Sequence, residues 1–377
     1  MTKDDVRELF PHIKKGKIYF NHAAIGPLSK TVTDVITGYA IERSDGKIKN
    51  YDDYLTIESE TKIMLAEILG CESRNLAWTD NVSNAMNMLA QGLNLKKDDE
   101  IIVTDIEFPS NVYPFLNLQK NGVKVKFARS DHGKISPESI LSLVTDSTRL
   151  ISVSYVQFTS GWRSDIKKLG DFCRERGIVF SVDGIQGAGA LYPDLNNCNV
   201  DFFAGGTQKW IMALQGLSYF YISDKLINKL DQKYVGWLSF ESAWELLNYD
   251  TKLKGNASRF QNGTQNAIAT YALHASLKTF TGYGIENVEK NVLENTKYFI
   301  RELLKKGIKP LLAETPVENL SGIVTFPFPE PELNLQKLAE KNIHGELRNG
   351  VFRFAPHFYN TREEIDTVVE ALEKLIR

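Results

Sequence analysis

An α/β fold with a mainly parallel sheet, followed by a smaller α+β unit, is the architecture this chain predicts. Three observations carry the expectation. Short β-rich apolar runs recur from residue 75 to residue 222. Several are apolar on successive residues, as strands covered on both faces are. Helical patterns fill the gaps between several of them, which is the signature of strand–helix alternation.

Seven strands are expected, at 75–79 (NLAWT), 100–104 (EIIVT), 123–128 (VKVKFA), 149–156 (RLISVSYV), 178–182 (IVFSV), 200–204 (VDFFA) and 217–222 (LSYFYI). Helices fit at 83–93 and at 165–177, the second ending on a glycine stop. After about residue 264 the texture changes. Two long helical patterns, near 265–280 and 285–306, precede strand candidates 321–326 and 351–355, and a helix over 361–377 closes the chain. The expected division is a large domain over 17–263 and a small C-terminal α+β domain over 264–377, with residues 1–16 packing on the latter.

A chain of 377 residues can bury two such cores. Hydrophobic residues at 42% and charged residues at 24% are ordinary for a globular protein. A formal charge of -2 offers no general attraction for nucleic acid or an anionic membrane. Three scattered cysteines, Cys71, Cys173 and Cys198, build neither a disulfide framework nor a zinc site and fit a reducing compartment. The charged start MTKDDVRELF lacks an apolar signal region, and no run approaches the ~18 apolar residues of a membrane helix. A cytoplasmic protein is expected.

Ligands of an open parallel sheet bind beyond the carboxyl ends of its strands. There the chain places Asp80 to Asn84, Glu107 to Asn111, Gln157 to Gly161, Asp183 to Gln186, and Gly205 to Lys209. Each candidate has a structural alternative. Ser83 or Asn81 reads equally as a helix N-cap, and Asp183 as a turn or cap residue. Phe108 reads as core packing, and Lys209 as a surface residue whose stem lies on apolar surface.

Gathered at one edge, they match the needs of pyridoxal 5'-phosphate. Its phosphate takes N–H groups at a helix N-terminus. Its aldehyde takes a lysine whose amine burial can deprotonate. Its pyridine nitrogen takes a carboxylate, and an aromatic ring can cover one face. Asp183 precedes Lys209 by 209 − 183 = 26 residues, room for a loop and one further strand.

SVDGIQGAGA (181–190) followed by DFFAGGTQKW (201–210) resembles the class V aminotransferase family of fold-type I pyridoxal phosphate enzymes. That family includes cysteine desulfurases, isopenicillin N epimerase-like proteins and kynureninase. YFNHAAIGPLS (19–29), TDNVSNAMN (79–87), EFPSNVYP (107–114), QFTSGWRSDI (157–166), RFQNGTQN (259–266) and VFRFAPHFYNTREEID (351–366) continue the resemblance over nearly the whole chain.

The resemblance implies roles position by position. Lys209 would carry the cofactor as a Schiff base and move the α-proton, and Asp183 would pair with the pyridine nitrogen. Gln186 would hydrogen-bond the phenolic oxygen and Phe108 would stack on the ring. The helix start at Asn81, Val82 and Ser83 would hold the phosphate. Gln208 replaces a histidine common before the lysine, and Gly205 and Gly206 would let the backbone pass close to the cofactor. Thr264 would reach the phosphate from a neighbouring subunit, which implies a homodimer. Arg353 would bind the substrate carboxylate, with Asn21 and His22 on the substrate side.

Departures narrow the branch. A desulfurase of this family needs a thiolate on a loop shortly before the arginine, and no cysteine follows Cys198. The short RNG connection looks more like the isopenicillin N epimerase-like branch. The expected function is a pyridoxal phosphate enzyme acting on an amino acid, of aminotransferase or epimerase type. The alternatives are a lyase working without a catalytic cysteine and a non-catalytic binding relative. A nicotinamide enzyme is disfavoured because DGIQGAGA lacks G-x-G-x-x-G. No P-loop is present, and the six histidines show no zinc-ligand spacing, so no metal is expected.

Overall fold

The computed structural model describes residues 1–47, 51–249 and 251–376. The seven expected strands form one sheet: β1 (Leu76–Thr79), β2 (Glu100–Thr104), β3 (Lys124–Ala128), β4 (Thr148–Ser154), β5 (Val179–Asp183), β6 (Phe202–Gly206) and β7 (Ser218–Ile222). Their order is β1-β7-β6-β5-β4-β2-β3. Only β7 runs antiparallel to its neighbours β1 and β6, so the sheet is mainly parallel, as expected. Every residue of β1, β2, β6 and β7 is buried, consistent with helices on both faces. The edge strand β3 is more open and carries Lys124 and Lys126, charges that discourage edge-to-edge pairing.

The helices used below are α1 (Lys30–Ser44), α2 (Tyr51–Leu69), α3 (Val82–Gly92), α4 (Ile166–Arg176), α5 (Ala267–Tyr283), α6 (Ile285–Lys305), α7 (Pro331–Glu340) and α8 (Arg362–Ile376). Helix α4 ends where Gly177 turns left-handed, φ 67°, as its glycine stop implies. On one face of the sheet Leu65, Leu69, Leu169, Leu273 and Leu277 join a core with Ile151, Val153 and Phe203. On the other, Ala85, Met86 and Leu89 of α3 pack with Ile101, Val103, Phe202 and Phe220. Helix α5 thus shares the core of the sheet and packs along α1 and α2.

A second core holds Phe299 of α6, Leu338 of α7 and Val368 and Leu372 of α8 against β8 (Val324–Phe326) and β10 (Val351–Phe354). β9 (Glu346–Arg348) completes an antiparallel sheet of order β9-β10-β8. The N-terminus reaches across to this side. Arg7 donates from Nη1 to Tyr359 O (2.9 Å) and pairs with Glu364 (2.8 Å). Ile18–Tyr19 pairs in parallel with Ile343–His344, and Phe20 sits edge-on to Phe299 and Phe354. Residues 18–20 therefore tie the chain entering the large sheet to the small domain.

Candidate active site

The parallel strands deliver their next residues to one edge. Asp183 ends β5 beside Ala204 of β6, so the acid and the loop carrying Lys209 lie on neighbouring strands. That loop is tightly held. Thr207 Oγ1 donates to Leu214 O (2.6 Å) and Leu217 O (2.9 Å), and Ala213 N–H returns to Thr207 O (2.9 Å). Gly26 N–H donates to Gln208 O at 2.7 Å, and a Cβ at Gly26 would stand 2.2 Å from Lys209 O. The 21–26 loop therefore lies directly on the lysine backbone, which only glycine permits there.

Lys209 itself is half-buried, and its Nζ hydrogen-bonds to none of the described residues, lying 5.8 Å from the Phe108 ring centroid. Burial lowers its pKa to about 8; Asp183 opposes this, while Arg353 and Arg348 reinforce it. About a tenth of the amine is then neutral at pH 7, against well under a thousandth for an ordinary lysine. Cofactor-free protein should consequently react with trinitrobenzenesulfonate fastest at Lys209, with a midpoint near pH 8 above which the free amine dominates. A midpoint at an ordinary lysine pKa would contradict the burial argument.

Asp183 is 2% exposed. Its Oδ1 accepts from Ile185 N–H (3.0 Å), and Oδ2 is buried without a partner among the described residues. Burial, then the charge of Glu107, raises its pKa to about 6, against the pull of the Ile185 N–H and Lys209. An orphaned buried oxygen is costly unless a donor arrives, so this atom is open to a hydrogen bond from a ligand. Glu107, which follows β2, is the carboxylate whose charge acts on Asp183. It accepts from Thr104 Oγ1 (2.8 Å), Ser154 N–H (3.0 Å), Gln157 Nε2 (2.9 Å), Asn111 Nδ2 (2.9 Å) and Ser154 Oγ. Five donors explain how a carboxylate survives at 8% exposure.

Phe108 is not core packing: it is 40% exposed, braced edge-on by Phe158 at 5.2 Å. The helix start also has a defined geometry. Asn81 is the N-cap of α3, its Oδ1 accepting from Asn84 N–H (2.8 Å) while Nδ2 donates to Asp80. The cap alternative thus holds for Asn81, and its acceptor is committed. The N–H groups of Val82 and Ser83 lie in the first turn of α3, where a helix offers them no intrahelical acceptor. Ser83 Oγ shares a hydrogen bond with Ser110 Oγ (2.8 Å).

Gln186 donates from Nε2 to Ala23 O (3.0 Å) and accepts from Trp210 Nε1 (3.1 Å), so it also locks the 21–26 loop to the lysine segment. Gln208 is half-buried, its Oε1 only 2.5 Å from where a Cβ on Gly206 would stand. The two glycines also have a packing reason. A Cβ on Gly205 would lie 2.4 Å from Tyr219 Oη, and one on Gly206 3.0 Å from Ile185 Cδ1. They make room for neighbouring side chains.

His22, expected on the substrate side, is fully buried, with Nδ1 2.8 Å from Ala355 O and Nε2 2.8 Å from Tyr359 Oη. Both ring nitrogens are spent, so it ties the two domains together and has none left for a substrate. Asn21 beside it keeps a buried Oδ1 without a partner. Arg353 is 1% exposed on β10, donating to Phe158 O (2.8 Å) and Glu346 (2.6 Å). It is therefore no surface strand charge. Thr264 is exposed and lines a cavity of about 650 Å³ with Trp78, Asp80, Asn84 and Tyr234, whose walls do not include Lys209.

Glu346 and Arg348, which no motif marks, also act on Lys209 through their charges. Asn349 and Gly350 are both left-handed (φ 51° and 77°), a two-residue turn that pairs Glu346 with Arg353 across β9 and β10. Glu346 bridges Arg348 (2.6 Å) and Arg353 (2.6 Å), and all three charges act on Lys209.

The family profile described as Aminotransferase class-V matches residues 18–368. The chain belongs to that family. Class-V aminotransferases are pyridoxal 5'-phosphate enzymes, and the orphaned Asp183 oxygen, the unbonded Lys209 amine and the free α3 donors fit that cofactor. The chain is 24% identical over 372 residues to the uncharacterized aminotransferase YcbU of Bacillus subtilis (strain 168), covering 98% of this chain and 97% of YcbU. It is 25% identical to the isopenicillin N epimerase of Streptomyces clavuligerus, over 95% of this chain and 94% of that one. The fold is shared with a solved apo cysteine desulfurase from Thermococcus onnurineus NA1, at TM-score 0.88, 22% identity and coverage of 99% and 98%.

Proposed function

We propose that this class-V enzyme acts on an amino acid by moving the proton on its Cα, with an aminotransferase or epimerase outcome. One observation carries the reading: an unbonded, half-buried lysine amine stands beside a buried orphan carboxylate, with a buried arginine across the same edge. When bound, the cofactor supplies an electron sink that acidifies the substrate Cα–H. Lys209 Nζ would hold the cofactor and could take a proton from the substrate Cα and return it, since burial lowers its pKa. Asp183 Oδ2 would accept a hydrogen bond from the cofactor's ring N–H, and Phe108 would cover one ring face. Val82 and Ser83 offer N–H donors to the phosphate, with the Asn81 cap fixing their direction. One N–H of Gln186 is left for the phenolic oxygen, and Gln208 borders the same pocket. Arg353 holds the substrate carboxylate, with Asn21 Oδ1 free to accept from the substrate.

Incubating the holoenzyme with single L-amino acids in D2O tests this. Deuterium at Cα, inverted stereochemistry or a 2-oxo acid product supports it; elimination of a β-substituent without Cα exchange in recovered substrate overturns it. A thiol-dependent desulfurase is disfavoured by the tight Asn349–Gly350 turn, where no cysteine stands. The thiols of Cys71, Cys173 and Cys198 are pushed by burial to about 12, 12 and 11, which leaves them protonated and unreactive. Replacing all three with serine should leave turnover within about twofold; loss of activity with intact folding would restore a thiol mechanism.

A homodimer is part of the proposal. Trp244, Leu246, Leu247 and Tyr249 are 60%, 67%, 87% and 85% exposed, an apolar stretch that a second copy would cover. The same arrangement would bring the partner's copy of the Thr264 segment to the α3 donors. Light scattering should give twice the 42.6 kDa chain mass, and Leu247→Glu should shift it towards monomer. A wild-type monomer would refute it. Three free thiols favour the reducing cytoplasm as its location.

A further inference from the structure

A substrate-binding arginine is expected to present an open fork to a carboxylate. Here the fork is already engaged. Arg353 gives Nη1 to Phe158 O (2.8 Å) and Nη2 to Glu346 Oε2 (2.6 Å), while its buried Nε has no partner. The occupant is thus a carboxylate from the same hairpin. Glu346 is not held by Arg353 alone, because its other oxygen lies 2.6 Å from Arg348 Nη2. Exposure is unequal: the side chains of Glu346 and Arg348 are 23% and 40% exposed, and that of Arg353 is 1%. The carboxylate can move towards solvent and Arg348; the guanidinium cannot follow.

We propose that Glu346 gates the substrate carboxylate: it occupies the Arg353 fork in the empty site and yields it, staying with Arg348, when a substrate carboxylate arrives. The inference rests on the reading of Arg353 as the carboxylate site. Its physical basis is that a buried guanidinium is never left unpaired, since one carboxylate replaces another. Such an exchange weakens carboxylate binding by the strength of the pair it breaks. It also sets selectivity, because an amide or alcohol head group cannot displace a charged partner. Glu346 acts through Arg353 and is a positioning residue.

The test is calorimetric titration of the holoprotein with propionate, a carboxylate without an amine to react. Glu346→Gln, which removes the competing charge, should bind about tenfold tighter. Glu346→Asp keeps the charge but is one methylene too short for Arg353, and should also bind tighter than wild type. Wild-type or weaker affinity in both variants overturns the gate. So does tighter binding in Glu346→Gln alone, which would mean that the charge acts through space. Arg353→Gln should abolish propionate binding; if it does not, the carboxylate-site reading fails and takes the gate with it.

Discussion

Lys209→Ala eliminates the absorbance band at about 410–430 nm that pyridoxal phosphate shows when joined to a lysine, and lowers turnover by at least ~10³-fold. The reason is local. Lys209 Nζ hydrogen-bonds to none of the described residues, lies 5.8 Å from the Phe108 ring centroid and feels the charges of Asp183 and Arg353. The other cations acting on it, Arg348 and Arg353, are guanidiniums, which stay protonated and cannot attach a carbonyl or take a proton. Lys209→Arg should therefore be as inactive as the alanine variant, although it keeps the charge. Spectra before and after borohydride treatment, with peptide mapping of the reduced protein, check both. A retained band, or label on another lysine, contradicts the assignment.

Asp183→Asn should lower turnover by about 10²–10³-fold and weaken cofactor retention. The substitution is nearly isosteric and can preserve the acceptor for Ile185 N–H. What it removes is the negative charge at Oδ2, the buried atom with no partner among the described residues. Folding does not depend on that charge. Burial and Glu107 both disfavour it, so the cofactor-free variant should melt no lower than wild type. Activity lost with stability kept would separate a chemical role from a structural one. Unchanged turnover would remove Asp183 from the mechanism.

Much of this site was legible because it depends on local order. Apolar runs placed seven strands, and the residues after them had to meet at one sheet edge. The spacing of Asp183 and Lys209 put them on neighbouring strand ends, as the pairing of β5 with β6 shows. The Glu346–Arg353 pair was within reach too. An Asn-Gly turn of two residues fixes which positions face each other, and counting outward from Asn349 and Gly350 pairs Glu346 with Arg353.

Other features had no local signal. Nothing near His22 says that Ala355 and Tyr359, far along the chain, take both ring nitrogens. Nor does anything near Gly205 and Gly206 say that Tyr219, Ile185 and Gln208 also demand the space a Cβ there would take. Periodicity and turn chemistry are properties of neighbouring residues, so the seven strands of the large sheet, helices α3 to α6 and α8, the family motifs and the loop carrying Lys209 were readable from them, whereas α1, α2, α7 and β9 were not. Whether a polar atom is satisfied, orphaned or already occupied depends on long-range partners and on exclusion of water. Tertiary packing leaves Asp183 Oδ2 unpaired among the described residues, spends both ring nitrogens of His22 and pairs Arg353 Nη2 with Glu346.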